Sequence, residues 1–240
     1  QYKEAKQRYA QHANGTPRPE YDHALEGLAE APRILLPADQ SQQIERILRF
    51  GRELKMPFVV YGLHEAYRSI DEIKAANVPV LVSLKWPEKP KNTDPAEPPD
   101  YRDLEMRERA PSVPGMLAKA QVKFGFYSDG VDSAPDLKKA LKRAMNAGLS
   151  RADALRALTM NAAEMYGVAD RVGSVEKGKI ANLVVMKGDA FEDKATVEYV
   201  LVDGKLFVPS KELQKPSSGG GRGRPGVTPP SVESSEGGLQ

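Results

Sequence analysis

The chain has 240 residues, no cysteine and a formal net charge of +2, with 35 Lys and Arg residues against 33 Asp and Glu residues. Disulfides, zinc–thiolate sites and thiol catalysis are therefore excluded, and the near-balanced charge argues against a dedicated nucleic-acid-binding protein. The sequence contains no run of about 18 apolar residues that would predict a membrane span.

Residues 1–30 are predicted to form a helical lead-in. The first predicted helix runs from Gln1 to Ala13, a segment with many charged and few apolar residues, and Asn14-Gly15 ends it. A second helix is predicted over residues 21–30. His12 and His23 lie in this region, and we interpret both as surface residues because polar helices often carry histidine without using it.

Residues 31–168 alternate between short apolar runs and helical segments. The apolar runs lie at 33–36, 58–61, 78–84 and 122–127, and the helices between them at 41–55, 66–76 and 110–120, with a polar, proline-rich loop at 87–99. This alternation is typical of βαβ units with a parallel sheet, and continuous apolar runs are typical of strands buried on both faces. The predicted fold class is therefore α/β.

Residues 169–209 are predicted to form a small antiparallel β module behind a pair of helices. Ser150 and Asp153 form a capping-box signature for the second of these helices. Asp203-Gly204 lies between two apolar runs, which is a strong hairpin signal.

Residues 210–240 are rich in Gly, Pro and Ser and are predicted to be a disordered tail. The Gly-Arg stretch at 219–224 can contact RNA or an acidic surface, but a solvated tail is the preferred interpretation.

Functional groups of parallel α/β folds gather at the carboxyl ends of the strands. The residues at these four points are Pro37, Ala38 and Asp39; Gly62, Leu63 and His64; Ser83, Lys85 and Trp86; and Ser128, Asp129 and Gly130. Four of them are candidate site residues. Asp129 can hold a metal or accept a proton from water, or it can simply cap a turn.

His64, Lys85 and Trp86 are the other three candidates. His64 can be a ligand or hydrogen-bond donor, or a polar residue that fills a gap in the core. Lys85 can neutralise an anionic substrate and Trp86 can line its pocket, or they can be a loop lysine beside a packing tryptophan. A catalytic zinc needs about three protein ligands, whereas the sequence offers only His64 and Asp129. No glycine-rich phosphate loop follows a strand, and no Gly-x-Ser-x-Gly elbow is present.

Residues 161–189 (NAAEMYGVADRVGSVEKGKIANLVVMKGD) closely resemble the C-terminal signature of the amidohydrolase superfamily. Within this segment Asn182 replaces the usual aspartate. The segment VEYVLVDGKLF resembles the last hairpin of that family. The segment FGFYSDG resembles the end of barrel strand eight, and residues 57–83 resemble the strand-six to strand-seven region of imidazolonepropionase-like members. The matching signature positions are Thr159, Asn161, Ala163, Gly173, Ser174, Gly178, Lys179, Ala181 and Leu183.

The resemblance implies the second half of a (β/α)8 TIM-type barrel, strands five to eight, plus part of a small β-sandwich module. It implies a metal-dependent hydrolase, with zinc as the expected ion, that attacks a cyclic-amide C–N bond through metal-activated water. Asp129 would be a metal ligand and general base, His64 a metal ligand or carbonyl polariser, and Lys85 and Trp86 substrate contacts. RILLPADQ resembles strand five, where Pro37 stands in the place of a metal-binding histidine.

We therefore expect the chain to be the C-terminal part of a longer enzyme and inactive alone, with the first-half ligands and any leader peptide before Gln1. The expected partners are a small-molecule substrate and a second copy in a homo-oligomer, without nucleic acid or a membrane span. The alternative is a non-catalytic binding or scaffold protein with a degenerate metal site.

Overall fold

The computed structural model describes residues 2–11, 17, 18, 20, 22–54, 56–89, 98 and 100–209. The predictions for His12, for the Asn14-Gly15 helix stop, for most of the proline-rich loop and for the tail at 210–240 lie outside these residues. Among the helices of the described part, none is long and apolar enough to cross a membrane.

Four parallel strands form a sheet in the order β1-β2-β3-β4, with each strand paired to the next along the chain. The strands are β1 (Ile34–Ala38), β2 (Phe58–Gly62), β3 (Val80–Ser83) and β4 (Phe124–Tyr127). This arrangement confirms the predicted α/β class with a parallel sheet. Pro37 lies within β1, where a proline is tolerated because β1 is an edge strand of the described sheet.

Among the described helices, two precede β1, four lie between consecutive strands of the parallel sheet and three follow β4. They are α1 (Tyr2–Gln11), α2 (His23–Glu30), α3 (Ser41–Leu54), α4 (Ile70–Ala76), α5 (Tyr101–Arg109), α6 (Val113–Lys119), α7 (Ala134–Asn146), α8 (Arg151–Leu158) and α9 (Met160–Tyr166). Short 3-10 segments at Ala66–Arg68 and Ala110–Ser112 replace the first turns of the helices predicted at 66–76 and 110–120. The sequence pattern does not predict α5, because YRDLEMRER is charged throughout and has no buried residue.

Both faces of the parallel sheet are covered. One face contributes Phe58, Val60, Val80, Val82 and Phe124 to a core that also contains residues of α3, α4, α6 and α7. The opposite face carries Val59 and Leu81, on which Met165 of α9 packs. Asn161, one of the signature residues, fixes α9 by donating a 2.8 Å hydrogen bond to the Phe124 carbonyl of β4.

A second sheet contains three antiparallel strands, β5 (Leu183–Lys187), β6 (Thr196–Val202) and β7 (Lys205–Phe207). The predicted hairpin at Asp203-Gly204 is confirmed, since both residues have positive φ angles (49° and 79°) and they connect β6 to β7. The predicted cap of α8 is confirmed as well, because Ser150 accepts the Asp153 N–H at 3.1 Å. The half-barrel, the β-sandwich and the domain boundaries at 30, 168 and 209 stay predictions.

Candidate active site at the carboxyl edge of the parallel sheet

An open cavity of about 660 Å³ lies beside the carboxyl ends of β2, β3 and β4. His64, Lys85, Trp86 and Asp129 all line it, although they follow three different strands. The structure therefore brings the four sequence-predicted site residues together, as the rule on strand ends leads us to expect. Their individual chemical roles stay predictions.

The turn after β2 that carries His64 is tied to the end of β1. Gly62 and Leu63 both have positive φ angles, 109° and 73°, and this sharp change of direction ends the strand. The Leu63 N–H donates to the Ala38 carbonyl and the Glu65 N–H to the Asp39 carbonyl, both at 2.9 Å. Leu63 is completely buried, so its side-chain burial offsets the cost of a left-handed backbone.

His64 faces a carboxylate to which the sequence analysis assigns no role. Its Nδ1 lies 3.2 Å from Oδ1 of Asp39, at the carboxyl end of β1. The imidazole is only 13 % exposed, and its Nε2 is buried without a hydrogen-bond partner in the described part of the chain. A buried polar atom without a partner is costly, which makes Nε2 a candidate contact for an ion or water.

Glu65 fixes the same turn through hydrogen bonds to its buried carboxylate. Its carboxylate is fully buried and accepts two hydrogen bonds from the guanidinium of Arg102, at 2.6 and 2.7 Å, and one from the Ser41 N–H at 3.0 Å. The hydrogen bonds from Arg102 are the main reason that the pKa of Glu65 is lowered from its ordinary value. The carboxylate is therefore charged in the folded protein and joins the β2 turn to α5 and to the first residue of α3.

Asp129 lies in a looser turn after β4. Its φ angle is +52°, a left-handed conformation that aspartate tolerates better than most residues. The Ser83 hydroxyl donates to Oδ2 of Asp129 at 2.8 Å, and the same hydroxyl accepts the Lys85 N–H at 3.1 Å. Oδ1 has no hydrogen bond from the described residues, which leaves it available to water or a ligand.

Tyr127 lies opposite Ser83 in the register of β3 and β4. Burial raises the pKa of Tyr127 to about 12, and the negative charges of Asp129 and Asp39 add to the effect. Its ring packs edge-on against Tyr61, with the centroids 5.6 Å apart. The phenol is therefore neutral at physiological pH and keeps a hydroxyl proton that it can donate.

Lys85 and Trp86 differ sharply in exposure. Lys85 is exposed and forms no ion pair with a described residue, so its ammonium group is available to an anion. Trp86 is only 6 % exposed, and its indole N–H donates to the Ala140 carbonyl at 2.9 Å. The indole therefore holds α7 against the end of β3, and its contact with a substrate stays a prediction.

Two atoms at this site are of the kind that a metal centre uses. The unpartnered Nε2 of His64 and the free carboxylate oxygen of Asp129 are suitable ligand types. The described residues nevertheless contain no group of three or more His, Asp or Glu side chains placed to hold an ion. Pro37, where the family resemblance implies a histidine, is an exposed strand residue without a ligand atom. The described residues therefore do not build a catalytic metal centre by themselves.

Four residues support the candidate site without having been predicted from the sequence: Asp39 and Glu65 beside His64, Ser83 at Asp129, and Tyr127 opposite Ser83. Asp39 and Ser83 stand at strand ends, so the rule that singles out His64 and Asp129 also covers them. Glu65 has no sequence signal, because its partner Arg102 is 37 positions away. Tyr127 reads as an ordinary strand residue until its neighbours are known.

The chain is similar to a known protein family and to known relatives. A model of the amidohydrolase family matches residues 4–207. Adenine deaminase 1 of Desulfotalea psychrophila is 33 % identical over 96 residues, and the adenine deaminase of Moorella thermoacetica is 32 % identical over 81 residues. These alignments cover 38 % and 34 % of this chain but only 16 % and 13 % of the two relatives.

A solved structure agrees with these sequence matches. The amidohydrolase of Thermotoga maritima is similar with a TM-score of 0.67 and 26 % identity, over 86 % of this chain and 52 % of that one. The chain thus spans about half the length of this structure and a smaller part of the two deaminases. The family match extends over nearly all described residues, and it includes the signature segment and the strand ends that line the cavity. The chain belongs to the amidohydrolase family.

Proposed function

We propose that the protein containing this chain is a hydrolase that cleaves a non-peptide carbon–nitrogen bond of a small molecule, with a cyclic amide as the preferred substrate class. Family membership supports hydrolysis of a C–N bond in general. The single observation that carries the proposal is the convergence of His64, Lys85, Trp86 and Asp129 on one cavity at the carboxyl edge of the sheet. The proposed substrate class and the proposed homo-oligomer go beyond this observation.

Asp129 is the proposed general base. Its Oδ1 is free of hydrogen bonds from the described residues while Ser83 holds Oδ2, so one oxygen is oriented and the other can accept a proton from water. Attack of that water on the carbonyl carbon gives a tetrahedral intermediate, and its collapse breaks the C–N bond. Asp129 then returns the proton to the departing nitrogen, as general acid–base catalysis requires.

His64 and Lys85 have complementary roles in this proposal. His64 lines the cavity, and its Nε2, which is buried without a partner among the described residues, is the atom proposed to contact the reacting centre or an ion. The exposed ammonium group of Lys85 binds a carboxylate or another anionic group of the substrate. Trp86 keeps the end of β3 packed on α7, so Lys85 projects from a fixed strand end.

A divalent ion, zinc by family resemblance, is part of the proposal for the whole protein. Such an ion lowers the pKa of a bound water so that it is nucleophilic near neutral pH. In this chain Asp129 and His64 would be two of its ligands, and the remaining ligands would have to come from outside the described residues.

The adenine deaminase relatives suggest a second substrate type of the same reaction class. Deamination of adenine replaces an exocyclic amino group on a ring carbon by the oxygen of water, with release of ammonia, and is also hydrolysis of a C–N bond. The short alignments with those relatives support including aminopurines in a substrate panel beside cyclic amides.

The test measures metal content and hydrolysis of that panel by the natural protein that contains this chain. We expect Asp129→Asn to lower kcat/KM for the accepted substrate by about 100-fold or more, since a positioned general base contributes that much. Asp71→Asn, an exposed aspartate in the first turn of α4, is the matched control and should retain activity. Full activity in Asp129→Asn would refute the role of Asp129.

A non-catalytic amidohydrolase-like binding protein is the second candidate. It is favoured by the incomplete set of ligands among the described residues and by Pro37 at the strand-five position. Absence of both metal and turnover in the natural protein, together with retained small-molecule binding that Lys85→Ala weakens, would support this candidate over the hydrolase.

A further inference from the structure

We infer that Asp39 is a positioning residue that keeps His64 in the tautomer with a proton on Nδ1, so that the buried Nε2 carries the lone pair. This inference rests on the proposed function. It decides whether His64 polarises a substrate carbonyl or acts as an ion ligand or proton acceptor. Nothing in the sequence alone assigns a role to Asp39.

The fold builds a place for the Asp39 carboxylate. In the register of β1 and β2, Ala38 lies opposite Gly62. A methyl group on Gly62 would overlap Oδ1 of Asp39 and would lie 3.1 Å from the Ala38 carbonyl oxygen. The missing side chain at position 62 is therefore the space in which the carboxylate crosses the end of β2 and reaches His64.

The negative charge of the Asp39 carboxylate then fixes the proton. A neutral imidazole has one N–H donor and one acceptor nitrogen, whereas a carboxylate can only accept. The Nδ1 atom lies 3.2 Å from Oδ1 of Asp39 and must carry the hydrogen for the contact to be favourable. Nε2 is then the acceptor nitrogen, and this is the atom that is buried without a partner among the described residues.

The surrounding contacts hold the two groups in register. The Glu65 N–H donates to the Asp39 carbonyl at 2.9 Å, and the Leu63 N–H donates to the neighbouring Ala38 carbonyl at the same distance. Both residues on either side of His64 are thus bonded to the strand end that carries Asp39. The backbone segments that carry the imidazole and the carboxylate cannot separate without breaking these bonds.

This arrangement selects one role for His64. A residue that polarises a substrate carbonyl must donate a hydrogen bond from Nε2, whereas an ion ligand or proton acceptor needs a lone pair there. With Asp39 in place, His64 acts as the lone-pair donor. β1 therefore contributes to the site through Asp39, although Pro37 has no functional side chain.

The test reads the tautomer of His64 directly, in the 240-residue chain labelled with ¹⁵N-histidine. The chain has only three histidines, and a His64→Gln variant assigns the signal. At about pH 8.5, where a free imidazole is neutral, long-range ¹H–¹⁵N correlations should show the proton on Nδ1. Asp39→Ala should move it predominantly to Nε2. Because the Asp39 side chain is 55 % exposed, this variant is expected to fold.

A second pair of variants tests the space at position 62. Gly62→Ala should displace the Asp39 carboxylate and change the tautomer in the same direction as Asp39→Ala. Gly148→Ala is the matched control, because Gly148 has nearly the same φ angle (111° against 109°) but no atom within 4 Å of an added methyl group. It carries the same backbone strain and should leave His64 in the Nδ1–H form.

The outcomes separate this inference from the proposed function. An Nε2–H tautomer in the wild-type chain, or an unchanged Nδ1–H tautomer in Asp39→Ala, would overturn the role of Asp39 even if the natural protein hydrolyses its substrate. An Nδ1–H tautomer that depends on Asp39, in a natural protein that has no hydrolase activity, would support this inference and refute the proposed function alone.

Discussion

The turns after β2 and β4 supply candidate site residues to the same cavity, yet they are held in different ways. The β2 turn, residues 63–65, has two backbone hydrogen bonds to the end of β1 and a fully buried glutamate with three further bonds. The β4 turn, residues 128–131, has one backbone bond, from the Val131 N–H to the Ser128 carbonyl, and one side-chain bond from Ser83. The position of His64 is thus set by the interior of the fold, while that of Asp129 depends mainly on one hydroxyl group.

The largest effect should come from breaking the buried ion pair under the β2 turn. Arg102→Ala leaves the buried Glu65 carboxylate with the Ser41 N–H alone, and we expect the free energy of unfolding to fall by about 2–3 kcal/mol. Urea unfolding measures this loss. Arg151→Ala is the control, since Arg151 pairs with Asp189 and Glu192 on the surface, and it should cost less than about 1 kcal/mol. Equal losses in the two variants would contradict the difference between the turns.

A smaller and local effect should follow from removing the hydroxyl that holds Asp129. We expect Ser83→Ala to weaken the β4 turn by about 1 kcal/mol, the usual net value of one hydrogen bond. Native-state amide exchange at Val131 should then become about fivefold faster, while Leu63 and Glu65 of the β2 turn keep their rates. Ser69→Ala, at a buried serine outside the cavity, is the control. Faster exchange in both turns would show that they are not held independently.

The smallest effect should appear only in alkaline solution. Because the pKa of Tyr127 is raised to about 12, the folded protein keeps a proton that the unfolded chain loses near its ordinary value of 10. The contribution of Tyr127 to stability is therefore full below pH 10 and is lost as the pH rises towards 12. Tyr127→Phe should show a shallower decline in this range by urea unfolding. Tyr101→Phe, at a tyrosine that is 76 % exposed, should decline like the wild type.

Local patterns were sufficient to predict most of the elements. The four strands of the parallel sheet, the cap at Ser150 and the hairpin at Asp203-Gly204 each depend on a few adjacent residues. Helix α5 was not predictable in this way. It carries no apolar stripe, and its contribution is Arg102, which reaches across to Glu65.

The candidate site was predictable in part for a related reason. The rule that functional groups gather at strand ends identifies positions, and it therefore finds His64 and Asp129. It also identifies Asp39 and Ser83, but it does not predict their roles. Their roles depend on contacts between neighbouring strands. Asp39 contacts His64 in the turn after the neighbouring strand, and Ser83 donates to Asp129, which is 46 positions away. The register of the sheet creates both contacts, and no local pattern encodes that register.

The space left by Gly62 also has an evolutionary consequence. Because the Asp39 carboxylate occupies the volume that any side chain at position 62 would need, the two positions cannot vary independently. A larger residue at 62 would displace the Asp39 carboxylate from this volume and away from His64. Substitutions at the two sites should therefore show strong epistasis. When both positions are randomised and active variants are selected, the variants that keep Asp39 should almost all keep glycine at 62.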